Sequence, residues 1–412
     1  MIRLFRLSAL ALILASPTMP GAVQTAALAQ SEPRLDYQAP VQQAPMQQAR
    51  VWSRAAAEEL LAYVDRIGEE GLDPAAYNPE RLRGELASGQ EALWSPVATQ
   101  IFLRLTADLS GGYVRGDSRV DWHMVGNEIN GNEQQRLLGQ VMSQGGVAAT
   151  LHALLPTHVQ YAGLKRALAA TAEDDEARRN LIRANLERWR WMPRNLGERH
   201  VIVNVPAFTA AVVDGGRVVA RHRTIVGARR TPTPQLSATV TGVTLNPWWN
   251  VPQSIIPELG SMRGYQVRRD GGRLIVRQPP GPGNSLGRVK IEMPNDHAIY
   301  LHDTPAQALF SRTVRAFSHG CIRTQNVRDF AAILLEPTGQ WDRAAIDRAI
   351  AAGETRTASL AQPIPVYIAY FTAAATTDGN IVTYADIYGR DAPVRQALNR
   401  AGGGTAQASL AE

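Results

Sequence analysis

The spacing of apolar residues changes near residue 199, and this change restricts the possible folds of the chain. Before it, apolar residues recur every three to four positions, as between Leu60 and Ile67, which is the period of an amphipathic helix. After it, apolar and polar residues alternate, as in 200–205, which is the period of a half-buried strand. The sequence therefore predicts an α+β fold, in which a helical N-terminal domain precedes a β-rich, β-sandwich-like domain.

The first half of the chain divides into a linker, a helical domain and a connecting helix. Residues 30–50 are rich in Gln, Pro and Ala and are predicted to be a flexible linker, and 51–175 are predicted to form a helical scaffold domain. Residues 176–198 contain an amphipathic helix that is predicted to connect this domain to the next one. Its charged residues are interpreted as a solvated face; they are Arg178, Arg179, Arg183, Glu187, Arg188 and Arg190.

The second half, 199–390, is predicted to be a domain of short strands. The expected strands are 200–205, 223–227, 238–245, 273–277, 290–293, 298–301 and 363–372, together with a hairpin at 210–220 that turns at Asp214-Gly215-Gly216. The expected helices are 326–335 and 342–352. Residues 254–287 are rich in Gly and Pro, and so long a loop in a compact domain is usually functional or mobile. Residues 384–388 are expected to be an edge strand or a short helix, and 391–412 a C-terminal tail.

The N-terminal residues 1–29 have the features of a cleaved signal peptide. Arg3 and Arg6 precede an apolar run, Leu7–Ala15, that is too short to span a bilayer, and an A-x-A pattern ends at Ala29. An uncleaved membrane anchor is the alternative. We therefore expect a periplasmic protein.

The composition narrows the possible partners. The formal net charge of +6 favours contact with an anionic polymer such as a cell wall, but the basic residues are scattered and indicate no nucleic acid. The chain has one cysteine, so an internal disulfide is excluded. In an oxidising compartment that cysteine is either a buried inert thiol or a reactive one.

The cysteine lies in the run Ser318-His319-Gly320-Cys321-Ile322-Arg323, and a second histidine, His302, lies upstream. An imidazole can take the thiol proton and activate the sulfur as a nucleophile. The amides of Gly320 and Cys321 are candidates for stabilising an oxyanion, and Arg323 is a candidate for binding a carboxylate. The structural alternatives are a buried small cysteine, a structural histidine and an ion-paired arginine.

The cysteine run, together with His302-Asp303-Thr304-Pro305, resembles the signature of the L,D-transpeptidases of the YkuD type. The longer run Ile299–Arg323, the segment Asn246–Pro252 and the helical half resemble the larger murein L,D-transpeptidases of the YcbB type. The resemblance implies a cysteine acyl-enzyme that forms 3–3 cross-links between peptidoglycan stems, with Cys321 as nucleophile and His302 as base, and no cofactor or metal. It also implies that 254–287 form a lid over the cysteine.

The remaining site assignments concern single residues around the proposed nucleophile and base. His319 is predicted to orient the cysteine loop and Ser318 to hydrogen-bond the imidazole, while Tyr300 and Trp248 are predicted to contact the substrate. Trp248 is as readily interpreted as a packing residue. Asp303 is not assigned as the orienter of His302, because an adjacent side chain cannot easily face the same ring. The chain has no room for the peptidoglycan-binding module that the larger relatives often insert.

Three alternative functions remain open from the sequence. Water in place of the amine acceptor would give an L,D-carboxypeptidase or an endopeptidase. A lipoprotein and a D-amino acid are further alternatives for the acceptor. A metal enzyme would use His297, His302, His319 and Cys321, although these have no recognised ligand spacing. A non-catalytic wall-binding scaffold is the third reading. The expected partners are the stem peptides, with peripheral association with the wall and with other wall-synthesis proteins.

Overall fold

The structure is a computed structural model that describes residues 51–376 and 378–400. The predicted signal peptide, the predicted linker and the last residues of the predicted tail lie outside this range. Within it, each helix is either too short or too polar to cross a lipid bilayer.

The N-terminal half is helical, as predicted. The described residues contain these α-helices: α1 (Arg54–Asp65), α2 (Pro79–Ala87), α3 (Glu91–Gly111), α4 (Gly131–Gln144), α5 (Val147–His152), α6 (Val159–Ala170), α7 (Glu176–Trp191), α8 (Val327–Leu335), α9 (Arg343–Ala351) and α10 (Asp391–Asn399). Ser53 caps α1 by accepting a hydrogen bond from the amide of Ala56, and such a cap stabilises a helix by about 1 kcal/mol. The first seven helices share one core around the buried Leu60, Phe102 and Leu164.

The C-terminal half is rich in strands, which confirms the predicted fold class. The strands of the described residues are β1 (Trp122–His123), β2 (Arg199–Asn204), β3 (Thr209–Asp214), β4 (Arg217–Gly227), β5 (Gln235–Leu245), β6 (Trp249–Asn250), β7 (Gln266–Asp270), β8 (Arg273–Gln278), β9 (Val289–Glu292), β10 (Leu301–His302), β11 (Ala316–Ser318), β12 (Ile322–Thr324), β13 (Arg356–Ala369), β14 (Ala373–Ala375) and β15 (Ile381–Thr383). The predicted strand 298–301 is shorter than expected, since pairing begins at Leu301.

The main sheet closes on itself. Its order is β5-β13-β2-β3-β4-β12-β10-β9, and β5 also pairs with β9 through residues 242–245. Alternate residues of each strand therefore point inward to a common core around Val243, Leu301, Ile322 and Val366, which are buried. Helix α8 packs against this core through Phe330, which is also buried. The closed sheet supports the strand ends that carry the candidate site.

One short strand of the helical half joins this sheet. β1 runs parallel to β5, with Trp122 beside Gln235 and His123 beside Leu236. Two side-chain rings extend this contact, because His123 lies 4.1 Å from His297, measured between ring centroids. A two-residue strand has too little alternation to be predicted from sequence, but it fixes the scaffold segment next to the site.

Helix α7 connects the two halves as predicted, but the interpretation of its charged face is wrong. Glu187, Arg188 and Arg190 are at most 1% exposed. Arg190 donates hydrogen bonds to Glu187 at 2.6 Å and to the Glu70 carbonyl at 2.8 Å. Arg188 donates to Asp391 at 2.6 Å. Arg188 thus pairs with a carboxylate from a distant part of the chain, and Arg190 pairs with Glu187 of the same helix and with the distant Glu70 carbonyl. A helical pattern cannot show the distant partners.

The segment 254–287, predicted to be a long loop, is instead part of a small folded unit, here called the lid (249–287). β6, β8 and β7 form a three-stranded sheet, and a short 3₁₀ helix spans Ile256–Glu258. The lid has its own apolar cluster, which includes Val251, Val276 and Leu286. Its base is tied to the domain by Asp303, whose carboxylate accepts a hydrogen bond from the Arg288 amide at 2.8 Å.

The last described residues also differ from the prediction. Residues 384–388 contain neither a strand nor a helix. The first part of the predicted tail is helix α10, whose Val394 and Leu398 are buried in the core of the helical half. The chain therefore returns to the scaffold after completing the sheet.

Candidate active site

The candidate site lies where β10 and β12 run side by side. They pair in parallel, with Leu301 beside Ile322 and His302 beside Arg323. Leu301 and Ile322 are fully buried in the sheet core, so their neighbours along each strand point to the other face. Tyr300, His302, Cys321 and Arg323 thus share one face of two adjacent strands. The structure brings together the predicted nucleophile, base and carboxylate-binding residue.

The loop that carries the thiol, residues 318–321 (the cysteine loop), is fixed by hydrogen bonds. Ser318 Oγ donates to the Cys321 carbonyl at 2.5 Å and accepts from the Gly320 amide at 3.2 Å. Thr233 Oγ1 donates to the Gly320 carbonyl at 2.7 Å. Gly320 has a φ of 112°, a conformation that side chains rarely allow. The sequence contained no signal for the role of Thr233.

These bonds change two details of the prediction. The hydroxyl of Ser318 is used inside the loop and does not bond the imidazole. The Gly320 amide is already bonded to Ser318, whereas the Cys321 amide has no acceptor among residues 51–376 and 378–400. The Cys321 amide is therefore the better placed donor for an oxyanion.

The thiol and the imidazole are both held in their neutral forms. Burial, and then the nearby Arg323, lowers the pKa of His302 to about 3. Burial raises the pKa of Cys321, and hydrogen bonds from Tyr300 partly oppose this rise. At neutral pH the site therefore contains a thiol and an unprotonated imidazole. Such an imidazole is free to accept a proton, and its buried Nδ1 has no partner within the described residues.

Arg323 is the second group on this face with an unused polar atom. Its Nε is buried without a partner in the described part of the chain. No carboxylate of residues 51–376 and 378–400 forms an ion pair with it, so the structural ion pair is not what holds this side chain. A buried donor without a partner is costly, and a ligand carboxylate would satisfy it.

Tyr300 connects the site to the lid. Its ring lies 5.6 Å from that of His302, and the side chain packs on the lid cluster beside Trp249. The predicted Trp248 instead has the guanidinium of Arg277 over its ring at 4.7 Å. Trp249 is thus the tryptophan that contacts Tyr300. Nothing in the sequence distinguishes Trp248 from Trp249 in this respect.

His319 joins the cysteine loop to the lid. Its Nε2 lies 2.9 Å from the carboxylate of Glu258, in the 3₁₀ helix of the lid, and Arg230 lies 4.0 Å from the same carboxylate. The predicted role of His319 in orienting the loop therefore involves Glu258, a partner that the sequence did not indicate. The described residues contain no group of three or more His, Cys, Asp or Glu arranged to hold a metal ion.

Comparisons with known proteins identify the two domains. Residues 198–358 match the YkuD family, described as an L,D-transpeptidase catalytic domain, and residues 44–168 match a family described as a scaffold domain. An inferred L,D-transpeptidase of Haemophilus influenzae is 32% identical over 225 residues, which are 48% of this chain. The matched region spans 45% of that protein, less than half its length.

Solved structures give weaker likenesses. An L,D-transpeptidase from Mycobacterium smegmatis is 17% identical with a TM-score of 0.24, over 42% of this chain and 58% of that one. The catalytic domain of an Enterococcus faecium L,D-transpeptidase, acylated by ertapenem, is 13% identical with a TM-score of 0.23, over 42% of this chain and 98% of that one. The assignment rests on the sequence matches. Residues 198–358 therefore belong to the YkuD family of L,D-transpeptidase catalytic domains, which this chain combines with a scaffold domain as the YcbB-type proteins do.

Proposed function

We propose that the protein is an exported peptidoglycan L,D-transpeptidase that forms 3–3 cross-links through a thioester on Cys321. The observation that supports this best is the shared face of β10 and β12, which presents a lone thiol, a neutral imidazole and an unpaired arginine. A nucleophile, a base and a carboxylate-binding group are what acyl transfer from a peptide requires.

Donor binding comes first. The proposed donor is a tetrapeptide stem, whose carboxylates suit the planar fork of Arg323. The unsatisfied Nε of Arg323 would receive such a carboxylate, and the bond would place the stem along the face that carries the thiol. Tyr300 lies between the thiol and the lid cluster and would contact the same stem.

Acylation follows without prior formation of an ion pair between a Cys321 thiolate and a His302 imidazolium. As the Cys321 sulfur attacks the carbonyl between the third residue and the terminal D-Ala, its proton moves to His302. A carbon–sulfur bond forms, the carbonyl oxygen becomes an oxyanion near the Cys321 amide, and the carbon–nitrogen bond then breaks. His302 returns the proton to the departing amine. Because both groups rest in neutral forms, the transfer accompanies the attack.

The thioester is then resolved by an amine of a second diamino-acid stem. The amine attacks the thioester carbonyl, an amide forms, and the sulfur leaves and recovers a proton through His302. Water in the same position would give the tripeptide instead. The lid contacts the site through Tyr300 and through Glu258, which bonds His319, and its packing on the bound stem would favour the amine by limiting access of water.

The compartment is part of the proposal. Peptidoglycan stems lie outside the cytoplasm, and the signal-peptide features of residues 1–29 would deliver the protein there. Fusion of residues 1–50 to a reporter that is active only after export tests this point. Export of the fusion with loss of the leader is expected, and retention in the cytoplasm would contradict it.

The activity is tested by incubating the purified protein with sacculi rich in tetrapeptides and then analysing the muropeptides. New 3–3 dimers are expected from the wild type and none from Cys321→Ala. Tripeptides without dimers would show hydrolysis, and unchanged sacculi together with no carbapenem adduct on Cys321 would overturn the proposed enzyme.

A further inference from the structure

A groove of ≈ 440 Å³ opens beside the cysteine loop at the junction of the two domains. His319, Gly320 and Ile299 line it from the catalytic domain. Val120 and Asp121 line it from the scaffold segment that leads into β1. The groove is therefore built by two parts of the chain that are distant in sequence.

The groove borders the cysteine loop on the side of the scaffold. Its lining includes Gly320, which directly precedes Cys321, but not Cys321 itself. The Cys321 sulfur lies 3.6 Å from the carbonyl of Ala298, and Ala298 stands between His297 and Ile299, which both line the groove. The lid, in contrast, contacts the site through Tyr300. A molecule bound in the groove would therefore lie beside the cysteine loop, and its reactive end would have to extend past Gly320 to reach the sulfur.

The scaffold wall of the groove is firmly placed. The Val120 carbonyl accepts a hydrogen bond from Gln235 at 2.9 Å, and the Asp121 carbonyl accepts one from the Gln235 amide at 3.0 Å. The ring of His123 bonds Asp121 at 2.9 Å and packs against the ring of His297 at an interplanar angle of 45°. These contacts hold the scaffold segment against the edge of β5, next to the cysteine loop.

The charges of the groove favour a carboxylate. Asp121 is neutralised by its ion pair with Arg390. Arg390 still has a buried Nη1 without a partner among the described residues, although the side chain lines the groove. Arg229, also in the lining, is exposed and forms no ion pair within the described part of the chain. The lining of the groove therefore carries an excess of positive charge.

We infer that this groove binds the acceptor stem, a peptide whose free carboxylate lies close to its attacking amine. The inference rests on the proposed function, since only a transpeptidase needs an acceptor. Arg229 would hold the carboxylate and Val120 would contact the stem, so the scaffold domain would form part of the acceptor site. The amine nitrogen would then bond to the thioester carbon as the carbon–sulfur bond breaks, and its proton would pass through His302 to the sulfur.

Two variants test the inference in the full-length protein. Arg229→Ala removes the exposed cation, and Val120→Asp adds a negative charge from the scaffold side at a residue that is 36% exposed. Arg221→Ala is the matched control, because this exposed arginine of β4 does not line the groove. The probe is a disaccharide tetrapeptide, which serves as donor and acceptor, and the products are the 3–3 dimer and the hydrolysed tripeptide.

Both groove variants should lower the ratio of dimer to tripeptide about two- to fivefold, the size expected for an exposed charge pair. Acylation of Cys321 by a carbapenem, followed by intact mass, should keep its wild-type rate in both. Arg229→Lys should restore part of the ratio, and Arg221→Ala should change neither readout.

An unchanged ratio in both groove variants would overturn the inference, and so would a fall in acylation rate that matches the fall in dimer, since the groove would then serve the donor. A wild-type protein that is acylated but forms only tripeptide would overturn the acceptor site together with the transpeptidase, leaving the nucleophile intact. Absence of acylation in the wild type would overturn the proposed function itself.

Discussion

Helix α7 and the cysteine cleft both bury groups that carry or can carry charge, but they satisfy them differently. In α7, Arg188 and Arg190 each reach a carboxylate and a backbone carbonyl. In the cleft, His302 Nδ1 and Arg323 Nε are buried without partners in the described residues. Complete pairing indicates a structural role, since the folded chain supplies every partner. Incomplete pairing is not confined to the cleft, since His200 Nε2 and His222 Nε2 are also buried without partners among the described residues. In the cleft it occurs beside a thiol, where a ligand would supply the missing partner.

Removing the thiol gives the largest effect expected on the cleft side of this comparison. Cys321→Ala should abolish the carbapenem adduct and both products, dimer and tripeptide, because no other cysteine exists in the chain. Intact mass and muropeptide analysis measure the loss. The midpoint of denaturant unfolding should change little, since the side chain is only half-buried. Products from this variant would exclude Cys321 as the nucleophile.

Breaking a complete pair should instead cost stability. Glu187→Gln leaves Arg190 with a buried charge and no carboxylate, and such a loss costs about 3–5 kcal/mol. The free energy of unfolding in urea measures it. Glu173→Gln, an exposed change just before the same helix, is the control and should have almost no effect. If both variants are equally stable, the pairing in α7 is not structural.

Arg323→Met should separate function from stability in the cleft. Loss of a charge-assisted bond to the donor is expected to lower kcat/KM for D-Ala release about 10- to 100-fold. The free energy of unfolding should stay close to wild type, because no partner inside the described fold is lost. Arg323→Lys should recover little, since lysine lacks the planar fork. A large loss of stability with normal kcat/KM would show that Arg323 has a structural role, as the buried arginines of α7 do.

His302 should cause a pH dependence of stability, whose change over a single pH unit is the smallest effect expected here. Because its pKa is about 3 in the folded protein and near 6.5 when unfolded, only the unfolded chain binds the proton between these values. Stability should therefore fall as pH drops from 6.5 towards 3, by about 1 kcal/mol per unit from this residue. His302→Gln should remove that part of the slope in urea titrations at several pH values. An identical slope in both proteins would show that the imidazole is not held neutral by burial.

The grouping of Cys321, His302 and Arg323 could be predicted from the sequence better than the surroundings of the cleft. His302 ends β10, Cys321 directly precedes β12 and Arg323 lies within it, and the alternation of apolar residues around Leu301 and Ile322 is visible in the sequence. The helices of the first half were predicted because each has its own periodicity. These features depend on residues that are close together along the chain.

What was missed depends on residues that are far apart. The charged face of α7 looked solvated because Asp391, the partner of Arg188, lies in a segment that was predicted to be a tail. The same explanation applies to the bond between His319 and Glu258, the pairing of β1 with β5 and the pairing of β5 with β9. Each joins residues that are far apart in the sequence. Periodicity describes which face of an element is apolar, but it does not identify the element that covers it.

The return of the chain to α7 after the sheet affects how the catalytic unit can be isolated. The sequence match ends at residue 358, but β13 continues to Ala369, and Thr372 and Asp391 bond side chains of α7. A fragment cut at 358 would lose most of its longest strand. A fragment that begins at 198 and keeps the C-terminal residues would lack α7 and would expose the apolar face of α10, which is normally buried in the core of the helical half. The smallest independently stable piece should therefore include both ends of the described chain, so activity assays on excised fragments would report their misfolding and not their chemistry.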